Sequence, residues 1–398
     1  MFFQILLSIL LGVCLGTLTG LIPGLHINLV AILLVTIAGK LTGIPLEYTV
    51  AIIISMAITH SFLDAIPSIF LGVPDPDKVA VVLPTHRMVF QGEAYQAVML
   101  TVFGSLMSLM ICISLVPLFI LIFKSLQTVV KGYIGYILVG LTLLLVLQEK
   151  KKISAATIFL LSGILGILVL NMPNLNEPLL PLLSGLFGLS TLILGIKTNS
   201  KVPEQRITNI ELKTFTKYKA VISAVIAGAA GSFLPGMGPS QVAILGSRIF
   251  RGLGDKGYVI LVGGLNTVNM TLSIAMLYAV NKARNGAIVA ISQLIPEVNL
   301  KLLMIVCAIC LIVAGIATIL AIILSRQIAK VICKINYKMI SIAIISFIML
   351  LVVIMSGWIG LIIVVTSTSL GILCNYLEVG KNHMMGCLLL PVILFFLS

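Results

Sequence analysis

Long apolar stretches recur from one end of this sequence to the other, and they constrain its fold more than any other feature. Most of them run for about 18 residues or more, the length with which a helix crosses the hydrocarbon of a bilayer. Membrane β-strands would alternate polar and apolar residues, and these stretches do not. The sequence therefore predicts an all-α polytopic membrane protein. The stretches cover approximately residues 49–72, 93–123, 131–148, 153–170, 178–196, 257–280, 300–325, 338–356, 357–376 and 384–397.

The composition excludes a water-soluble domain, because 60% of the residues are hydrophobic and only 9% are charged. The seven cysteines lie mostly within apolar stretches, and Cys307-x-x-Cys310 has no histidine or second such pair nearby. We therefore expect packing residues here, and neither a disulfide framework nor a metal site. No cofactor is expected apart from a coupling Na⁺ or H⁺.

The basic residues indicate how the chain is oriented in a cell membrane. A net charge of +13 could suggest nucleic acid, but the charges are scattered between apolar stretches instead of lying on one soluble face. Assigning six polar segments to the cytoplasm places 19 of the 25 Lys and Arg there, as the positive-inside rule requires. The longest, 197–219, is predicted to be a cytoplasmic linker. The six segments are 73–92, 149–152, 197–219, 248–256, 326–338 and 378–383.

The linker separates two halves that carry the same motif. In each half a glycine precedes a Pro-Gly pair by seven residues, and an alanine follows the proline by eight. A duplication explains this spacing, and it predicts a first repeat over 1–196, a basic linker over 197–216 and a second repeat over 217–398. The matched positions are Gly16, Pro23, Gly24 and Ala31 in the first half and Gly228, Pro235, Gly236 and Ala243 in the second.

The charge assignment gives the two repeats inverted topologies, a frequent construction in secondary transporters. Each Pro-Gly segment is too long for one span and is interrupted near its centre, so we interpret 3–38 and 217–250 as helical hairpins or broken helices. About five transmembrane helices follow each hairpin. Backbone groups freed at that depth are tolerated where they face protein, ligand or water. The alternative is a simple kink in each helix.

Polar residues just after each Pro-Gly pair are candidate substrate ligands. Asn28 and Ser240 both lie five residues after their proline, and hydroxyl and amide groups bind carboxylate or phosphate oxygens without a full buried charge. Helix N-termini at the two tips would attract an anion. The alternative role of these side chains is helix capping. The candidates are Pro23, Gly24, His26, Asn28, Pro235, Gly236, Gly238, Ser240 and Gln241.

Four residues on two apolar helices are candidate ligands for a coupling ion. His60 and Asp64 share one helix face because they are four residues apart, and an ionisable group in an apolar span is costly unless it has a function. Asn266 and Asn269 lie on the corresponding helix of the second half. The alternative for Asp64 is a structural hydrogen bond to a neighbouring helix, and for His60 a bond to a backbone carbonyl.

Two arginines in polar stretches are candidates for attracting anions at the two mouths of the site. Arg87 lies in 73–92 and Arg284 in 281–285. A guanidinium can bind a carboxylate or a phosphate with two hydrogen bonds. The alternative is that both belong to solvated loops or lipid-headgroup anchors.

These motifs resemble the TctA family, the large membrane subunit of the tripartite tricarboxylate transporters, and its compact archaeal branch in particular. Besides the two Pro-Gly motifs, the resemblance covers Ser68-Ile-Phe-Leu-Gly72-Val-Pro74 and the segment from Leu83 to Ala97. It implies a permease for small carboxylates, driven by an ion gradient, with a small membrane subunit and an extracytoplasmic binding protein as partners. His26, Asp75 and the segment Asn281–Gly286 depart from the family pattern, so the substrate itself stays open.

The function expected from the sequence is therefore secondary active transport of small organic anions, by alternating access with a midplane site at the two hairpin tips. Translocation of a polyprenyl-phosphate lipid carrier is the alternative cargo, because Asn28, Ser240 and Arg87 could hold a phosphate. An intramembrane enzyme is a third interpretation. Against it, the sequence has no HExxH motif, no nucleophile motif and no pair of catalytic Asp residues. We expect no enzymatic activity.

Overall fold

The structure is a computed structural model, and within the residues that it describes the chain is helical with no strand. It describes residues 2–22, 27, 30–31, 34–35, 45–71, 82–130, 132–173, 175, 177–197, 203–233, 242–243, 246–247, 250–295, 297–334 and 337–397.

Ten helices precede the linker and six follow it, among the described residues with continuous helix bounds. The first ten are α1 (Phe2–Leu21), α2 (Leu46–Leu63), α3 (Ala65–Leu71), α4 (Val82–Phe90), α5 (Ala94–Ser114), α6 (Val116–Val130), α7 (Ile134–Leu147), α8 (Lys152–Leu170), α9 (Leu179–Leu183) and, after a π-helical turn at Ser184–Leu189, α10 (Ser190–Lys197). The others are α11 (Thr214–Phe233), α12 (Gly254–Val280), α13 (Gly286–Leu294), α14 (Leu300–Val331), α15 (Tyr337–Tyr376) and α16 (Gly386–Leu397).

Eight helical segments of the described chain are long and apolar enough to cross a membrane, so the prediction of a polytopic helical membrane protein is confirmed. The apolar stretches at 131–148 and 384–397 form helices shorter than such a span. The stretches at 338–356 and 357–376 form two helical segments, together labelled α15, which meet at a kink where Gly357 is not helical (φ 63°, ψ −158°). A positive φ costs glycine little, which is why this residue can hold the break.

The helices pack into two bundles with separate apolar cores. The first, which we call the hairpin bundle, contains α1–α6 and α11–α14. The second bundle contains α7–α10, α15 and α16. Each bundle therefore takes helices from both sides of the linker. Among the described residues, the main helix–helix contact between the two bundles is that of α3 with α15.

Glycines allow the closest helix pairs of the hairpin bundle to approach. A Cβ added at Gly12 or Gly16 of α1 would collide with α2 at Ser55 or Thr59. A Cβ added at Gly104 of α5 would likewise meet the carbonyl oxygen of Ile260 in α12. Small residues have this role in membrane helices because lipid supplies no hydrophobic force to press two apolar helices together.

The register of these pairs shows how their helices are oriented within the hairpin bundle. Along α1 and α2 the contacts advance together, from Gln4 with Tyr48 to Gly20 with Leu63, so the two helices run parallel. Along α11 and α12 they do the same. The described helices that flank 22–45, and those that flank 234–253, therefore each form a parallel pair.

Polar segments meet at one end of the hairpin bundle, which we call the basic end. Arg87 pairs with Asp255 at 3.3 Å, and Lys256 pairs with Glu93 at 3.2 Å. The linker docks on the same end, because the Gln205 side chain accepts a hydrogen bond from the backbone N–H of Ala94 and donates one to the carbonyl of Val89. The beginnings of α5 and α12 and the linker therefore lie together.

The helices of the two halves also pack crosswise. From the first half, α2 packs on α14 and contacts α13. From the second half, α12 packs on α5 and contacts α4. Each of these two helices therefore packs on two helices of the opposite half, and α2 and α12 also contact each other.

Candidate functional site

Asp64 lies at a break between α2 and α3 in the middle of the hairpin bundle. Helix α2 ends at Leu63 and α3 begins at Ala65, and the Asp64 N–H still donates to the His60 carbonyl at 2.9 Å. The next hydrogen bond, from the Ser68 N–H to the Asp64 carbonyl, is stretched to 3.4 Å. Pro67 has no N–H, so it cannot supply the helical hydrogen bond that the Leu63 carbonyl would otherwise accept. The backbone at Asp64 stays helical (φ −60°, ψ −21°), so the break is one of hydrogen bonding: the Leu63 carbonyl, one residue before Asp64, lacks its helical donor.

The Asp64 side chain joins the two halves of the chain. Its Oδ2 accepts a hydrogen bond of 3.0 Å from Nδ2 of Asn266 in α12. Both residues are buried, with 4% and 2% of their surfaces exposed. In this bond the amide N–H of Asn266 donates and a carboxyl oxygen of Asp64 accepts. The structure thus brings together two of the four residues expected to bind a coupling ion.

His60 connects this site to the first Pro-Gly segment. Its Nδ1 lies 3.1 Å from the Thr19 hydroxyl in α1, and the imidazole is buried. The next residue, Gly20, is so close that an added Cβ would stand 3.3 Å from both the Asp64 nitrogen and the His60 carbonyl oxygen. Pro23 follows three residues later. The end of α1 that leads into this segment therefore lies against His60 and Asp64.

Asn269 lies on the same helix as Asn266, three residues further on, and is only half-buried. Its backbone carbonyl accepts a hydrogen bond from the Ser273 hydroxyl at 2.6 Å. No hydrogen bond joins its side chain to Asp64 among the described residues. Its role as an ion ligand stays a prediction.

Arg284 lies beside the second Pro-Gly segment. Its Nη2 donates at 2.5 Å to the carbonyl of Phe233, the last residue of α11 and the second residue before Pro235. Its Nε is buried and has no hydrogen-bond partner among the described residues. Burial lowers the pKa of this guanidinium, which nevertheless stays positively charged. A positive group with spare donors thus stands where the second segment begins.

Arg87 has a different environment. Its side chain is 68% exposed and pairs with Asp255, itself 54% exposed, at the basic end of the bundle. Arg284, in contrast, contacts the far end of α11. The structure therefore places the two arginines at different depths and gives only Arg284 a contact with the start of a Pro-Gly segment.

Nine predicted substrate ligands lie outside the residues that the structure describes. They are Pro23, Gly24, His26, Asn28, Pro235, Gly236, Gly238, Ser240 and Gln241. Their described neighbours Ile27, Ala31, Val242 and Ala243 are buried in the core of the hairpin bundle. Both segments thus contribute to the interior of that bundle.

Sequence reasoning missed three features beside the candidate site: the Thr19 hydroxyl, the carbonyl of Leu63 and the Ser68 hydroxyl. Two of them had a readable signal. Pro67 stands four residues after Leu63, the spacing at which a proline removes a helical hydrogen bond, and Ser68 stands four residues after Asp64. Thr19 had no such signal, because its contact with His60 depends on how α1 and α2 pack.

Comparison with known proteins decides the family. The family model described as the tripartite tricarboxylate transporter TctA family matches residues 6–386. The chain belongs to the TctA family. A relative is an uncharacterized protein of Methanocaldococcus jannaschii, which is 32% identical over 386 residues, or 94% of each chain. No solved structure matches the chain. As a TctA protein it is a membrane component of a transport family, in agreement with its eight candidate spans.

Proposed function

We propose that this TctA protein is a secondary active transporter of small organic anions, such as di- or tricarboxylates, with its site at the tips of two Pro-Gly hairpins. The Asp64–Asn266 hydrogen bond carries this proposal. It joins the two halves inside the membrane, directly beside the end of α1 that leads into the first Pro-Gly segment. A buried carboxylate is costly in a membrane, so its presence there favours a functional role in ion coupling.

The described contacts of the second segment support a hairpin whose turn lies near the Pro-Gly pair. Val242 packs against Gly231, Gly246 packs against Ala227, and the Lys219 ammonium donates to the Arg251 carbonyl at 2.6 Å. Each contact joins one residue before the Pro-Gly pair to one after it, and the two lie at similar distances along the sequence from a point near that pair. For the first two pairs that centre lies between 236 and 237, immediately after Pro235-Gly236.

The crosswise packing supports two repeats of inverted topology. Arg87, beyond Asp64 along the chain, meets Asp255, which precedes Asn266. These two contacts support opposite directions for the helices that carry Asp64 and Asn266. If α2 corresponds to α12 and α5 to α14, the α2–α14 contact and the α12–α5 contact are equivalent. This is the arrangement expected of a pseudo-two-fold axis that lies in the membrane plane.

The electrostatics of the hairpin tips favour an anionic substrate. Helix N-termini that follow each turn would present positive dipole ends, and Arg284 adds a full positive charge beside the second tip. We assign Asn28 and Ser240 to the substrate and Asp64, with Asn266, to the coupling ion. His60 would then transmit ion occupancy to the first tip through its contact with Thr19.

The candidate ligands that the structure describes lie in one bundle, which bears on how access alternates. The hairpin bundle holds Asp64, Asn266 and Arg284, and among the described residues it touches the second bundle mainly through α3 and α15. We propose that the hairpin bundle moves as a body against the second bundle. A covalent cross-link between α3 and α15 should then stop uptake and leave substrate binding intact, whereas unimpaired uptake would contradict this motion.

The orientation and the partners follow from the charge pattern and the family. We assign the basic end and the linker to the cytoplasm, because that side collects the Lys and Arg of the polar segments. The family further suggests a small membrane subunit and an extracytoplasmic binding protein as partners. Labelling of a cysteine introduced at Arg206 from the outside of intact cells would contradict this orientation.

Uptake of labelled citrate and smaller dicarboxylates into proteoliposomes tests the function directly. We expect accumulation under a Na⁺ or a pH gradient, and its loss in Asn28→Leu and in Ser240→Leu without loss of folded protein. A substitution at the lipid-facing Leu311, such as Leu311→Ala, is a matched control that should not change uptake. Absence of uptake under every gradient would refute carboxylate transport and favour the polyprenyl-phosphate carrier as cargo.

A further inference from the structure

We infer that the break between α2 and α3 is a binding site for one sodium ion. Its ligands are the Asp64 carboxylate, the Leu63 carbonyl, the Ser68 hydroxyl and the carbonyl oxygen of the Asn266 amide. This inference rests on the proposed ion-coupled transport, and it identifies the ion and two ligands, Leu63 and Ser68, that the sequence did not suggest.

Pro67 is the reason why a backbone oxygen is available. In an unbroken helix the N–H of residue 67 would donate to the carbonyl of residue 63, and proline has no N–H. The Leu63 side chain is fully buried, so water does not readily replace the missing donor. Carbonyl groups of interrupted membrane helices coordinate Na⁺ in transporters for this physical reason.

Ser68 supplies a second neutral oxygen on the same side of the break. It is four residues after Asp64, and 3% of its surface is exposed. Its hydroxyl oxygen is buried and has no hydrogen-bond partner within the described part of the chain. A buried hydroxyl without a partner costs free energy, and a cation ligand would satisfy it.

Asn266 supplies the last oxygen from the opposite helix. The amide nitrogen already donates to Asp64 at 3.0 Å. Its carbonyl oxygen makes no hydrogen bond to any described residue. The amide therefore holds the carboxylate with one end and offers a ligand with the other, so both halves of the chain would contribute to one ion.

The chemistry of the four oxygens selects a monovalent hard cation. A proton would use Asp64 alone and leave the three neutral oxygens without a role. Calcium prefers six to eight oxygens with several carboxylates, and this site has one carboxylate.

Pro67→Ala tests the inference, because it returns an N–H to the Leu63 carbonyl without removing any ligand side chain. Thermal unfolding of the purified protein in detergent would be followed while NaCl replaces choline chloride at constant ionic strength. We expect sodium to stabilise the native protein, and the half-saturating concentration to rise about tenfold in Pro67→Ala and in Ser68→Ala. The control is Pro391→Ala, which restores an N–H inside α16 in the other bundle and should leave sodium binding unchanged.

Each outcome supports or overturns the inference. If sodium does not stabilise the native protein, or if Pro67→Ala and Ser68→Ala bind sodium as the native protein does, the site is refuted. If Pro67→Ala does not fold, Ser68→Ala decides. The readout contains no substrate, so sodium binding without anion uptake would retain the site and refute the transport function. Uptake driven by a pH gradient alone, without sodium binding, would retain the transport function and refute the sodium site.

Discussion

Exchanging the side chains of Asp64 and Asn266 offers a direct measurement of the bond between the two halves. Asp64→Asn removes the charge, and Asn266→Asp places two carboxylates at about the separation of the present 3.0 Å hydrogen bond. Both single variants should be less stable than the native protein. The double variant, Asp64→Asn with Asn266→Asp, restores one carboxylate and one amide on the same two helices, so it should recover part of the loss.

The size of that recovery reports the charge state of Asp64. Hydrogen bonds between neutral groups of membrane helices contribute about 0.6 kcal/mol in double-mutant cycles. A bond to a charged partner contributes about 1.5–3 kcal/mol. Both side chains are almost fully buried, with no more than 4% of either surface exposed, so solvent screens the interaction little. For an ionised Asp64 we therefore expect a coupling free energy of at least about 1.5 kcal/mol.

Unfolding in mixed micelles of dodecyl maltoside and sodium dodecyl sulfate would give the free energy of unfolding of all four proteins. The cycle of Asp64→Asn with Ser341→Ala, a buried residue of the other bundle, provides the baseline and should be additive within about 0.5 kcal/mol. Additivity of Asp64→Asn and Asn266→Asp would show that the two side chains do not interact, and the assignment of a shared ion site would be lost.

Three further predictions concern other parts of the molecule. Arg284→Gln should raise the substrate concentration for half-maximal uptake at least tenfold, because it removes the charge beside the second hairpin. The same change at the exposed Arg87 should have little effect. Equal effects of the two changes would contradict the placement of Arg284 beside the substrate site. Gly104→Ala should destabilise the protein by about 1–3 kcal/mol, since the added Cβ meets the Ile260 carbonyl. Gly315→Ala, whose Cβ meets nothing within 4 Å, should stabilise it by up to about 1 kcal/mol. Thermal unfolding measures both effects. Burial lowers the pKa of Lys381, in the turn between α15 and α16, from its usual 10.5 to about 8. Between pH 8 and 10.5 the unfolded chain therefore binds more protons than the folded one, and the free energy of unfolding should rise with pH. A Lys381→Met variant that keeps the same rise would refute this.

The sequence predicted the membrane class and most helix positions because the length of an apolar stretch directly reports a span. It also placed a division at residues 356 and 357, where α15 breaks at Gly357. The two bundles could not be predicted. Lipid-facing and protein-facing surfaces are both apolar, so hydropathy gives no direction in which a helix packs.

The same limit explains the mixed outcome at the candidate site. Asp64 and Asn266 were chosen because polar groups in apolar spans are rare, and the structure brings them together. Arg87 and Arg284 were paired by sequence order alone, and their surroundings differ. The surface ion pair of Arg87 with Asp255 joins positions 168 residues apart, a distance over which no local pattern in the sequence operates.

The interleaving of the two bundles determines the order in which the protein can be assembled during synthesis. When the ribosome has made only the first half, neither core is complete, because α5 lacks α12 and α2 lacks α14. The hairpin bundle can close once α14 is inserted, and Asp64 then has Asn266 beside it. The second bundle must wait for α15 and α16, the last helices of the sequence. A nascent chain therefore carries an unfinished polar site through most of its insertion, and premature termination before α14 would leave that site for membrane quality control to detect.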